Sequence, residues 1–185
     1  MTLARLALLA AFAAAPAFAA APALAADPAP VKVNDQSAVP PADWKSEKPS
    51  NRLRSHQFKL PSGVKDVADA ELAIYPQSSP DPKRNHPRWL ATFIPPDGKT
   101  IEEASKVTTA EQPGAKLTTL VVTGTWKYKE RPQDPRSKEE LRAEWRVIWV
   151  IVAGKEEAAH VRLAGPVAVV ERHKKALDAW LKALK

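Results

Sequence analysis

From Leu117 to Tyr128 the chain alternates with a period of two. Leu120, Val122, Gly124, Trp126 and Tyr128 fall on one face, and Thr119, Val121, Thr123, Thr125 and Lys127 on the other, which predicts a strand. Trp145 to Ala153 is apolar on both faces, the pattern of a strand covered on both sides. Gly154 and Lys155 turn the chain into His160–Ala164, an expected antiparallel neighbour with Val161 and Leu163 inward. Shorter alternating runs predict strands at His56–Leu60, where Pro61 stops the run, and at Glu71–Tyr75; Lys106–Glu111 is a further candidate.

Pro76 to Pro87 is rich in proline, serine and aspartate and reads as loop. Pro87 is expected near the start of a short helix capped by Asn85 or His86, burying Trp89, Leu90 and Phe93 and ended by Pro95 and Pro96. Gly165 and Pro166 open a last, amphipathic helix with Val170, Leu177, Trp180, Leu181 and Leu184 on one side. Glu171, Lys174, Lys175 and Lys182 stand largely opposite. Strands in a run, hairpin-length connections and two helices predict an α+β domain over 51–185: an antiparallel β-sheet packed by a short middle helix and a C-terminal helix.

The first residues follow a different logic. Arg5 precedes an uninterrupted Leu/Ala run from Leu6 to Ala15, and then come small-x-small sites, the order of a cleavable secretory signal peptide over 1–25. Cuts after Ala19 or Ala25 both fit, and the second agrees better with the polar turn at Asp27. The apolar run is about half the roughly 20 residues a membrane-spanning helix needs, and no later run approaches that length. The protein is therefore expected to be exported, periplasmic or secreted, with no transmembrane segment in the mature chain. Residues 26–50 hold Pro28, Pro30, Pro40, Pro41 and Pro49 among small and charged residues and read as a flexible linker, with Trp44 docked on the domain that follows.

Composition narrows the function classes. With no cysteine, the chain has no lipid-anchored N-terminal Cys, no disulfide framework and no thiol nucleophile. The formal net charge of +7 falls by one when Arg5 leaves with the leader. In an exported protein a basic balance points to an anionic envelope polymer or another envelope protein as partner, with nucleic acid disfavoured.

Some residues carry a resemblance as well as a pattern. They are Trp44, Arg52-Leu53-Arg54 leading to Phe58-Lys59-Leu60-Pro61, Asp66 to Leu72, and Asn85 with Arg88-Trp89 and Phe93. Further on come Pro96-Asp97-Gly98, Val122 to Trp126, Leu163-Ala164-Gly165-Pro166 and Leu181 to Lys185. Over most of 44–185 the chain resembles a family of uncharacterised exported bacterial proteins and the PsbP-like fold, an antiparallel sheet sandwiched by helices. It departs from that pattern at Trp126, where a smaller aromatic is expected, and in the charged loop 129–139. The resemblance implies accessory or binding subunits rather than enzymes.

No motif supplies chemistry. His56, His86, His160 and His173 lack metal-ligand spacing and are expected to be solvated or capping, and no cofactor pattern is present. Asp97-Gly98-Lys99-Thr100 lacks the upstream glycine of a phosphate loop and reads as a β-turn. Ser55-His56 and Ser137 have no nucleophile elbow, and Ser137 with Glu140 fits a capping box starting a helical turn. The acid pairs at 102–103, 139–140 and 156–157 lie among lysines and arginines. A hydrolase built from scattered carboxylates is the alternative to a binding domain, and polyanion binding a second. For the latter, Lys83, Arg84 and Arg88 around one loop and Lys127, Lys129, Arg131, Arg136 and Lys138 around another would form a cationic rim if the loops meet. Trp126, Trp145 and Trp149 could floor a groove beside it, although core packing is the default for strand aromatics.

Overall fold

The computed structural model describes residues 29–132 and 134–185, so the expected leader lies outside the described residues. The chain is α+β. Strands β3 (Lys45–Glu47), β4 (His56–Leu60), β5 (Ala70–Tyr75), β6 (Phe93–Ile94), β7 (Ser105–Gln112), β8 (Ala115–Lys129), β9 (Glu139–Ala153) and β10 (Ala158–Pro166) form one antiparallel sheet. Its order is β3-β4-β5-β10-β9-β8-β6, with β7 also on β8. A separate hairpin, β1 (Val31–Val33) with β2 (Gln36–Ala38), precedes it. The helices among the described residues are α1 (Pro82–Leu90) and α2 (Val167–Lys182).

The two faces of the sheet have different fates. On one, Phe58, Leu60, Leu72, Ile74, Ile148, Val150, Val152, Val161 and Leu163 pack under α2, which contributes Val169, Val170, Leu177, Trp180 and Leu181 as its periodicity requires. On the other, Phe93, Val122, Trp126, Val147 and Ala164 form a smaller cluster. Trp89 of α1 stacks on that side against Trp149. Alternation along β9 therefore delivers an aliphatic core to one face and tryptophans to the other.

Residues 29–50 are not a flexible linker. Val31, Val33, Ala38 and Trp44 are buried in the main core, Trp44 against Phe58 and Trp180. The hairpin is also tied by polar contacts, with Asn34 Nδ2 donating to the Val152 carbonyl and Gln36 Nε2 to that of Pro113. Ser37 and Lys185 exchange backbone hydrogen bonds at 2.9 and 3.3 Å. Proline limits the lengths of these strands without preventing them, because Pro40, Pro41 and Pro49 lie between the strands.

Three further expectations are corrected. The helix α1 begins five residues before Pro87: Asp81 is its N-cap, accepting from the Lys83 N–H at 2.9 Å, and Pro82 occupies the first turn, while Pro87 sits inside the helix. Phe93 belongs to β6 and not to that helix. Residues 139–144 extend β9, so Glu140 pairs across the ladder with Tyr128 and no helical turn starts at Ser137, whose hydroxyl accepts from the Arg131 N–H. The β8–β9 hairpin is thus 15 residues long on each side. Gly98, with φ 74°, lies in the expected turn, closed by Lys99 N–H to Pro96 O at 3.1 Å. Gly124 permits a close approach: a Cβ there would lie 2.3 Å from the Ile94 carbonyl oxygen, and β8 bulges just beyond it to receive β6.

Candidate functional site

The second face of the sheet carries a groove whose floor comes from β5, β10, β9 and β8. Register places Arg162 of β10 directly opposite Trp149 of β9 and Ala73 of β5, so these side chains share this face. Two open cavities, of about 450 and about 420 Å³, lie along it with Trp126 lining both. The first is bordered by α1 through Arg88 and Trp89 and floored by Trp149 and Arg162; the second is lined by Glu71, Tyr128, Glu140, Arg142 and Trp145.

Between them lies a charged trio. Glu71 accepts from Arg162 Nη2 at 2.5 Å and from Arg54 Nη1 at 2.9 Å. The two arginine side chains are 8% and 4% exposed and that of Glu71 is 32%. Burial opposes the charge on Glu71, but Arg162 and Arg54 together outweigh it and hold the carboxyl below its usual range. Arg54 also donates to Gln57 Oε1 at 2.7 Å, and both guanidiniums lie over the Tyr75 ring. Two positive charges share one negative charge in a largely buried setting.

The aromatic side chains are in mutual contact. Trp89 and Trp149 stack at 4.4 Å with planes 4° apart, and Trp126 meets Tyr128 edge-on at 5.0 Å. The Arg142 guanidinium sits 3.6 Å from the Tyr128 centroid and within 6 Å of Trp126 and Trp145. Its charge is shared with Glu140 at 2.9 Å, and that bond leads the causes holding the Glu140 carboxyl below its ordinary range. Trp44 and Trp180 are core residues, whereas Trp89, Trp126, Trp145 and Trp149 line the groove.

Helix α1 is held over the first cavity by buried polar groups. Both Asn85 Nδ2 and His160 Nε2 donate to the Ser79 carbonyl, at 2.9 and 2.8 Å, which fixes the proton of a neutral imidazole on Nε2. His160 meets Trp89 edge-on at 5.0 Å. His173 is likewise buried, with Nε2 against the Pro61 carbonyl at 2.9 Å, so these two histidines serve the interior rather than solvent or helix caps. Burial lowers the His160 pKa, and the charge of Arg88 acts the same way against the opposing Ser79 bond. His56 and His86 are shifted in the same direction by burial. A folded-state value below the unfolded 6.5 stabilises the fold fully above that value and is lost as pH falls through the folded one. The urea midpoint is therefore expected to drop between about pH 7.5 and about pH 5, and His160→Gln to flatten part of that drop.

The expected rim assembles in part. Arg88, Lys127 and Lys129 line the first cavity. Lys83 and Arg84 are exposed on α1, and Arg131, Arg136 and Lys138 are exposed in the loop after β8; none of these five lines either cavity. Lys129 is bound to Glu139 and Arg136 to Asp134. Ser55 Oγ lies 3.1 Å from His56 Nδ1, but among the described residues no acid orients that imidazole. Among the described residues no group of three or more His, Cys, Asp or Glu could hold a metal ion, and no helix is long and apolar enough to cross a membrane.

Arg54 and Glu71 lie in segments that carry the resemblance, but no pattern gave them, or Arg162, a role at a site. The available signal was Arg162 itself, a lone charge in the otherwise apolar run Val161–Ala164. A buried strand tolerates such a residue only with a counter-charge on a neighbouring strand.

No family model matches the chain, and no curated protein does. Among solved structures it is similar to a protein of unknown function from Pseudomonas aeruginosa, at 12% identity and a TM-score of 0.48, covering 85% of this chain and 95% of that one. It is also similar to cyanobacterial PsbP (CyanoP) from Synechocystis, at 9% identity and a TM-score of 0.44, covering 92% of this chain and 99% of that one.

Proposed function

We propose that the protein is an exported, non-enzymatic binding or accessory domain of the cell envelope, and that its contact surface is the groove beside α1. The observation that carries this reading is the pairing of open cavities with fully engaged acids. Glu71 is held by two arginines, Asp69 by Lys59, Glu140 by Arg142 and Glu139 by Lys129. A glycosidase-type general acid must keep its proton near neutral pH, which requires a raised pKa. Asp69, Glu71 and Glu140 are all shifted the other way. Five aromatic residues around two cavities of about 450 and about 420 Å³ suit recognition rather than bond cleavage.

Binding of a long polyanion would use Arg131, Arg136 and Lys138 together with the cavity cations, and the pairing of Arg136 with Asp134 weakens that reading. The partner classes are an anionic envelope polymer or another envelope protein. Soluble cell-wall fragments titrated into ¹⁵N-labelled protein should shift the indole N–H signals of Trp126, Trp145 and Trp149 and leave those of Trp44 and Trp180 in place, without turnover of the fragments. Turnover abolished by Glu71→Gln under conditions where that variant is shown to remain folded would instead establish the hydrolase.

A further inference from the structure

The cavity under α1 offers more donors than the protein supplies acceptors. Arg162 uses Nη2 on Glu71, but its Nε is buried without an acceptor, and so is the indole N–H of Trp149. The two residues are cross-strand partners and line the same cavity. An unsatisfied buried donor costs about 1–3 kcal/mol, so two side by side are a feature to be explained.

Charge points the same way. The Arg54–Glu71–Arg162 trio carries one positive charge in excess. At the mouth, Arg88 and Lys127 have no salt-bridge partner among the described residues, and the cavity's one acid, Glu139, is engaged by Lys129. The remaining walls include Trp126 and the stacked pair Trp89 and Trp149. Oxyanions satisfy guanidinium and indole N–H groups with short, charge-assisted bonds, and flat apolar bodies lie well on indole. At about 450 Å³ the cavity has the size of a small-molecule site.

We propose that this cavity binds a small organic anion: a carboxylate, sulfonate or phosphate attached to an aromatic or similarly flat apolar body. Arg88 and Lys127 attract the charge at the entrance, the flat body packs among Trp89, Trp126 and Trp149, and a small turn of Arg162 and Trp149 brings Nε and Nε1, which their neighbours otherwise close off from the cavity, onto the anionic oxygens. The proposal builds on the binding role of the groove and adds the chemistry of the ligand.

Two dyes with one ring system test it on the full mature chain. Anilinonaphthalene sulfonate carries the anion, and neutral phenylnaphthylamine does not. The sulfonate is expected to bind one per chain and at least about tenfold more tightly than the neutral dye, as a charge-assisted contact predicts. The double variant Arg88→Gln/Lys127→Gln, with both changes at the cavity mouth, should weaken sulfonate binding by about five- to tenfold and leave the melting temperature unchanged. Equal affinity for the two dyes, or no effect of the double variant, overturns the anionic ligand while leaving the groove as a binding surface. Failure of both dyes to bind, together with unmoved Trp126 and Trp149 indole signals, overturns the groove as well.

Discussion

A chain beginning at Asn51 is expected to lose its cooperative fold, and Trp44→Ala alone to lower stability by about 3–5 kcal/mol. Trp44 is 5% exposed and contacts Phe58 and Trp180, so truncating it opens a void between the sheet and α2. Removing the whole segment also strips Val31, Val33 and Ala38 from the core, leaves the Trp180 indole N–H without the Ala38 carbonyl, and removes β3 from the sheet edge. The total approaches the 5–15 kcal/mol that holds a typical domain together. For a chain of this size each kcal/mol is worth about 2–4 °C, so Trp44→Ala should melt about 6–20 °C lower in a calorimeter. A truncated chain that melted within a few degrees of the full one would restore the linker reading of residues 29–50.

That segment also shows where the sequence becomes hard to read. Strands β4, β5, β8, β10 and the second half of β9 were legible because each offers several positions at period two, and α2 because five apolar residues fall on one side of a helix. Strands β1, β2 and β3 are three residues long, too short for a period to emerge, and their prolines resemble those of a tether. The first half of β9, Glu139 to Glu144, is ordered by its partner: β8 runs the same length and supplies the ladder that a charged segment lacks by itself. At α1, Asp81-Pro82 was a complete start signal overshadowed by Pro87.

The site was legible in its parts and not in its assembly. Arg88, Lys127 and Lys129 were expected at a common rim, and the groove tryptophans were named, because residue type alone marks them. The trio could not be foreseen, since Glu71 and Arg162 are 91 residues apart and meet only through the β5–β10 register. Long-range pairing in an antiparallel sheet follows from which faces are buried, and this sheet buries both in different ways. Arg162 and Trp149 oppose one another because β10 pairs with β9 in one register; a slip of β10 by one residue would turn Arg162 to the aliphatic core while Trp149 kept its face.

The same register makes Glu71 the most sensitive polar position. Glu71→Gln keeps the shape of the side chain but leaves two buried guanidiniums facing each other without a counter-charge. Breaking a buried pair by removing one partner costs about 3–5 kcal/mol, and solvent access to Glu71 places this case near about 3 kcal/mol. Arg54→Met/Glu71→Leu/Arg162→Met, which removes every charge of the trio, should be less destabilised than the single variant, because no charge is left stranded. The acid limb of stability has the same origin. Glu71 titrates below its unfolded value of 4.5, so its contribution is complete above that pH and is lost as pH falls through the lower, folded value. Urea unfolding at about pH 7 and about pH 3 should therefore show a smaller acid loss in Glu71→Gln than in the wild type. Parallel losses in the two chains, or a triple variant less stable than Glu71→Gln, would show that the trio is not held together by its charge. In that case the excess positive charge that draws an anion into the neighbouring cavity would lose its basis too.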